Sequence, residues 1–168
     1  MRDEFTKLSL HNEYEGYRQL PESLQPRQAL LDAMKEKVLQ AGGALSVVGA
    51  KKKSSGATAS AHGMGGVGKT MMAVQLMQDP EIGTSFEKLL WISVGQEPDI
   101  MTCLRVLHFQ LKGSHLPASA LENERFAVQA MREACRGVKA LIVLDDIWDP
   151  KVSLHFHGLP CLLPRKYQ

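Results

Sequence analysis

Residues 63–70 read Gly-Met-Gly-Gly-Val-Gly-Lys-Thr, and residues 140–146 read Ala-Leu-Ile-Val-Leu-Asp-Asp. The first stretch has the spacing G-x-x-x-x-G-K-[ST] of a Walker A phosphate loop. Gly63, Gly65, Gly66 and Gly68 carry no Cβ, so the backbone can turn sharply and bring its N–H groups against a polyphosphate. Lys69 supplies a cation for the outer phosphates, and the Thr70 hydroxyl is a ligand for Mg²⁺. The predicted nucleotide-binding stretch is Gly63, Met64, Gly65, Gly66, Val67, Gly68, Lys69, Thr70 and Met71.

The second stretch is a continuous apolar run that ends in two carboxylates. It fits a buried parallel strand of Walker B type, presenting acids at its carboxyl edge, where ligands of open α/β sheets bind. Asp145 is expected to hold Mg²⁺, directly or through water, because Mg²⁺ keeps most of its water shell and takes one or two carboxylates. Asp146 is the candidate catalytic group, orienting or deprotonating an attacking water. A core strand ending in an acidic turn is common by itself, whereas the phosphate-loop spacing is long and specific. Together they specify a phosphate site with a metal.

These residues need strands and helices to hold them. Residues 26–43 predict a helix with Pro26 near its first turn, Leu30, Leu31, Met34, Val38 and Leu39 at helical spacing, and Gly42-Gly43 as its stop. Residues 44–48 are a short apolar strand candidate. The Lys51-Lys52-Lys53 run with Ser54, Ser55 and Gly56 reads as a solvated loop inserted before residues 57–62. Residues 57–62 are the expected strand into the phosphate loop, although small-sided for a buried strand. His62 reads as a hydrogen-bonded structural histidine. A helix from Lys69 ends at Asp79-Pro80. Residues 88–94 predict a second strand with Trp91 in the core. A helix from about Asp99 closes at Lys112-Gly113, and a further helix, with Ser119 and Glu122 as a capping box, runs to Arg136.

Composition limits the alternatives. The chain has 168 residues, 44% hydrophobic and 23% charged, with a net charge of +2. That suits one globular domain and is too mild a charge to draw nucleic acid by bulk electrostatics. No apolar run approaches a membrane span, and residues 1–4 begin no signal peptide. Three dispersed cysteines, Cys103, Cys135 and Cys161, read as reduced thiols of a cytoplasmic protein.

Three stretches taken together resemble the NB-ARC class of signal-transduction NTPases of plant disease-resistance proteins and apoptotic-protease activators. They are residues 62–70 (His-Gly-Met-Gly-Gly-Val-Gly-Lys-Thr), 90–94 (Leu-Trp-Ile-Ser-Val) and 141–148 (Leu-Ile-Val-Leu-Asp-Asp-Ile-Trp). The resemblance covers about 57–150 and implies an α/β three-layer sandwich with a parallel sheet. It implies adenine nucleotide, ATP or ADP with Mg²⁺, bound at Lys69, Thr70 and Asp145, with Asp146 catalytic. It also implies a switch in which ADP holds a closed state, ATP exchange permits homo-oligomers, and slow hydrolysis resets the system. Adenine rests on the resemblance alone, since no guanine-reading N-K-x-D segment is present.

The sequence departs from the family in serious ways. Met71 stands where a second Thr or Ser is usual. No sensor strand or winged-helix histidine follows Asp149, and Gly158-Leu-Pro160 falls too early to be the family's Gly-Leu-Pro-Leu motif. The sensor strand ordinarily lies between the Walker A and Walker B strands, so a gap at the centre of the sheet is expected. With it come marginal stability, weak nucleotide binding and poor hydrolysis. The expected organisation is a lead-in at 1–25, a partial nucleotide-binding domain at 26–150 and a truncated tail at 151–168. The competing readings are an ordinary P-loop ATPase or small-molecule kinase, and a regulatory fragment without turnover.

Overall fold

A computed structural model of the chain describes residues 27–41, 44–48, 59–62, 68–156 and 159. In chain order it contains α1 (Gln28–Ala41), β1 (Ala44–Val48), β2 (Ala59–His62), α2 (Lys69–Gln78), α3 (Pro80–Ser85), β3 (Lys88–Ser93) and α4 (Ile100–Lys112). A 3₁₀ turn (Ala118–Leu121), α5 (Glu124–Cys135), β4 (Ala140–Ile147) and a second 3₁₀ turn (Pro150–His155) follow.

The sheet begins with β4, whose apolar run is buried on both faces. Side chains alternate across a strand, so neighbouring residues serve different layers. Leu141 and Val143, with Trp91 of β3, face Leu31, Met34 and Val38 of α1, Ala73 and Leu76 of α2, and Ile82 of α3. Ile142 and Leu144, with Leu90 and Ile92 of β3, face Leu104, Leu107 and Leu111 of α4 and Ala127 and Met131 of α5. Two cores on one sheet make the expected α/β three-layer sandwich.

All pairings among the described strands are parallel, in the order β2-β1-β4-β3. This corrects the expected central gap. β1 lies between β2 and β4, so neither inner flank is open and the premise for marginal stability is removed. The physical reason is legible in residue types. Leu45, Val47 and Val48 suit an interior strand, whereas Ala59, Ser60 and Ala61 offer little apolar surface and take the edge.

The other edge, β3, is closed by a side chain. Gln110 of α4 accepts the Trp91 backbone N–H through Oε1 at 2.8 Å and returns Nε2 to the Trp91 carbonyl at 2.7 Å. The amide thus replaces a neighbouring strand at one residue and blunts an edge that would otherwise offer unpaired groups.

The helix termini differ from expectation in two places. Asp79-Pro80 ends α2 and also starts α3. The Asp79 carboxylate accepts the Glu81 and Ile82 N–H groups at 2.8 and 3.4 Å, and Pro80 takes the first turn, where its missing N–H costs nothing. Ser119 does not cap α5. Residues 118–121 form a 3₁₀ turn that buries Ala120, and Asn123 caps α5 by accepting the Phe126 N–H at 3.1 Å. Asn and Ser are nearly equal as caps, so the buried turn decides between them. Elsewhere Asp99 caps α4 and Gly113, in the left-handed conformation at φ 70°, ends it.

Val152, Phe156 and Leu159 are buried in the α4–α5 core, and His155 Nδ1 lies 2.8 Å from Glu124 Oε1 at the start of α5. No helix among the described residues is long and apolar enough to cross a membrane. The expected lead-in at 1–25 and the Lys51–Lys53 loop lie outside the described residues.

Replacing Gln110 by Ala leaves the Trp91 N–H and carbonyl without their partners. The expected loss is about 2 kcal/mol of unfolding free energy, measurable by urea denaturation. An unchanged midpoint contradicts the edge-closing role.

Candidate functional site

The carboxyl ends of the parallel strands share one edge of the sheet, and the β4 tip lies there. Asp145 pairs in register with Ser93, and its carbonyl accepts the Val94 N–H at 2.9 Å. Its side chain is only 4% exposed, which makes it one of two buried polar or charged residues among those described. A buried carboxylate is costly unless nearby groups compensate it.

The compensation comes from α2. Thr70 Oγ1 lies 3.1 Å from both Oδ1 and Oδ2 of Asp145, across 75 positions of sequence. The hydroxyl is shared between the two oxygens, centred on the carboxylate. Burial pushes the Asp145 carboxyl above its ordinary range, and the adjacent Asp146 charge adds to this. The Asp146 N–H, the Thr70 hydroxyl and the Lys69 charge oppose it. Lys69, Thr70 and Met71 are half-buried on the first turn of α2.

That first turn has no side-chain cap from its N-cap residue. Asp79, Asp99 and Asn123 cap α3, α4 and α5 with side-chain oxygens, but Gly68 precedes α2 without one, and α2 has no acid in its first turn. Its leading N–H groups therefore lack a side-chain cap and carry the positive end of the helix dipole. Gly68 holds φ 76°, a left-handed conformation that strains any residue with a Cβ.

Asp146 behaves differently from its neighbour. Ser46 of β1 pairs with Leu144 and Val48 with Ile147, so Val47 alone stands opposite both Asp145 and Asp146. This is a β-bulge, a device that re-aims side chains beside functional sites. Asp146 is exposed and takes φ 55°, the one positive φ among the described non-glycine residues. That conformation costs about 1 kcal/mol and is better tolerated by Asp than by most residues. The Trp148 indole Nε1 donates to Asp146 Oδ1 at 3.0 Å. Sequence reasoning placed Trp148 in a motif but gave it no role. A bulge leaves no periodic signal, because one extra residue shifts the alternation at a point already marked by polar residues.

Of the predicted site residues, Gly68, Lys69, Thr70, Met71, Asp145 and Asp146 are described. Gly63, Met64, Gly65, Gly66 and Val67 lie outside the described residues, as does the His62 side chain. The chemistry of the described donors fits Mg²⁺: a threonine hydroxyl and a carboxylate oxygen, both hard ligands, already centred on one another. Among the described residues no cluster of three or more His, Cys, Asp or Glu could hold a metal alone. A metal there would complete its shell with phosphate oxygens and water.

A family model for the NB-ARC domain matches residues 32–164. The chain is 35% identical over 105 residues, 58% of its length, to "Disease resistance RPP13-like protein 4" of Arabidopsis thaliana, of which it covers 11%. It is 32% identical over 88 residues, 52% of its length, to "Probable disease resistance protein RF45" of the same plant, covering 9% of that protein. It is 30% identical over 88 residues to "Disease resistance protein RGA2" of Solanum bulbocastanum, covering 52% of this chain and 9% of the relative. The chain thus spans about a tenth of these relatives.

Because the folded pKa of Asp145 is raised, the native state binds the proton more tightly than the unfolded state. Stability from this group is present below its ordinary range and falls as pH rises through the raised value. Asp145→Asn should therefore raise the melting temperature of nucleotide-free protein at pH 7. The gain should shrink as pH is lowered and wild-type Asp145 becomes protonated. A variant less stable at pH 7 than at acid pH, relative to wild type, contradicts this.

Proposed function

This chain belongs to the NB-ARC domain family, and from that premise we propose that it is the ADP/ATP-binding module of a defence-type signalling switch. The observation that carries the proposal is the Thr70–Asp145 contact, 3.1 Å to each carboxylate oxygen. It brings the helix that follows the phosphate loop onto the acidic tip of β4. As a member of this family the chain has a nucleotide-binding domain of P-loop NTPase type, and its four described strands form a continuous part of the α/β sandwich.

In this reading Gly63, Met64, Gly65, Gly66, Val67, Gly68 and Met71 line the phosphates with the backbone. Lys69 neutralises the outer phosphates, and the uncapped N-terminus of α2 adds its dipole. Thr70 and Asp145 would hold Mg²⁺, which would supply screening of the phosphate charge. Asp146, exposed on the bulge, orients water, with hydrolysis slow or absent in this chain. Residues 26–150 carry the module, flanked by 1–25 and 151–168. The setting is cytoplasmic and the partners are adenine nucleotide and further copies of the module. Support for a defence role comes from the relatives, each of which is named as a disease resistance protein.

Lys69→Ala should weaken binding of a fluorescent ADP analogue at least about tenfold, since a charge-assisted contact is worth about 1.5–3 kcal/mol. Unchanged titration of the analogue rules out this site. Asp146→Asn should leave that titration unchanged and slow phosphate release wherever wild-type release is measurable. Faster release from the variant would remove Asp146 from the proposed role.

A further inference from the structure

Asp146 and Trp148 form a unit that nucleotide binding by Thr70 and Asp145 does not require. Three observations meet there. The bulge sets Asp145 and Asp146 together opposite Val47. Asp146 holds a left-handed backbone at φ 55°. Trp148, 49% exposed, spends its only polar atom on Asp146 Oδ1 at 3.0 Å. An indole half open to water adds little to the core, and its N–H is a donor only. Bonded to one carboxylate oxygen, it leaves the other able to accept from a water or a ligand.

We propose that Trp148 is a positioning residue that fixes the Asp146 carboxylate on the bulge, so that the pair responds to the third phosphate of a bound nucleotide. The proposal rests on the nucleotide reading above. The division of labour follows from geometry. Asp145 is buried and faces Thr70, so it belongs with the metal. Asp146 is exposed beyond it on the same strand tip and bonded by its own neighbour two residues on. The Asp146 backbone is fixed by the bulge and by its N–H bond to Asp145, whereas its carboxylate is held by the Trp148 indole. Strained positions of this kind are where two arrangements are close in energy. A ligand that prefers one of the two arrangements will shift the balance between them. A triphosphate carries one phosphate more than a diphosphate, so the two nucleotides differ in the charged group they offer to an exposed carboxylate beyond Asp145.

The test uses the full chain labelled with ¹⁵N and follows the indole N–H resonances of its two tryptophans, Trp91 and Trp148, assigned with Trp148→Phe. Without nucleotide, Asp146→Ala should displace the Trp148 resonance and speed its exchange with water several-fold. Asp146→Asn, which keeps an acceptor oxygen, should restore most of the wild-type position, and Trp91 should stay in place in both. In wild type, Mg²⁺ with a non-hydrolysable ATP analogue should move the Trp148 resonance, whereas Mg²⁺ with ADP should leave it near its free position. An unmoved Trp148 signal in Asp146→Ala overturns the positioning role. Equal responses to the two nucleotides overturn the link to the third phosphate. Should a labelled ADP analogue fail to bind wild type at all, the nucleotide reading falls. The nucleotide-free comparison then still decides whether Trp148 holds Asp146.

Discussion

The structure is arranged around one buried carboxylate. Asp145 sits at the end of a strand that is apolar on both faces, in a place where a charge is unfavourable. What makes it tolerable is supplied from another part of the chain: the Thr70 hydroxyl, the Lys69 charge and the N–H of Asp146. Each must be held in place for Asp145 to remain. Lys69 and Thr70 are held because α2 buries Ala73, Val74 and Leu76 against the sheet and against α1 and α3. The Asp146 N–H is held because the bulge turns it back. A carboxylate kept short of full compensation is also one that welcomes a cation.

Strand order puts these parts within reach of each other. With β1 between β2 and β4, the interior of the sheet is filled by the more apolar sequence and the small-sided β2 is left at the edge. At the opposite edge, Gln110 completes the hydrogen bonding of β3 from a helix. The two cores on either face then fix α2 on one side and α4 with α5 on the other. A site built on strand tips and a helix start, backed by two packed layers, keeps its groups in register without a bound ligand.

Much of this was legible in residue types. The G-x-x-x-x-G-K-T spacing located the start of α2, and the Ala-Leu-Ile-Val-Leu run located β4, because each is a local pattern with a physical cause. Periodicity located α1 and α4, and a run of branched and aromatic residues located β3. The residue types of β1 suit an interior strand, but which strands flank it was not legible. Parallel pairing is non-local, and an apolar pentapeptide does not announce its neighbours. The expectation of a central gap came from a family topology, and it failed where this chain has a strand of its own to use. α3 was hidden because Asp79-Pro80 reads as a stop, although the same pair begins a helix well. The cap of α5 was misplaced because Ser119 and Asn123 are chemically similar, and only the burial of Ala120 separates them. The bulge at Asp145–Asp146, and the role it opens for Trp148, needed the register of two strands to be seen.

The central claim is that Thr70 and Asp145 act as one unit on a magnesium-bound nucleotide. A double-mutant cycle measures this most directly: the affinity for ADP with Mg²⁺ in wild type, Thr70→Ala, Asp145→Asn and the double variant. The account predicts strong non-additivity, a coupling of about 1 kcal/mol or more, that disappears when Mg²⁺ is removed. Losses that simply add, with or without the metal, would show that the two residues meet in the fold but do not share a ligand.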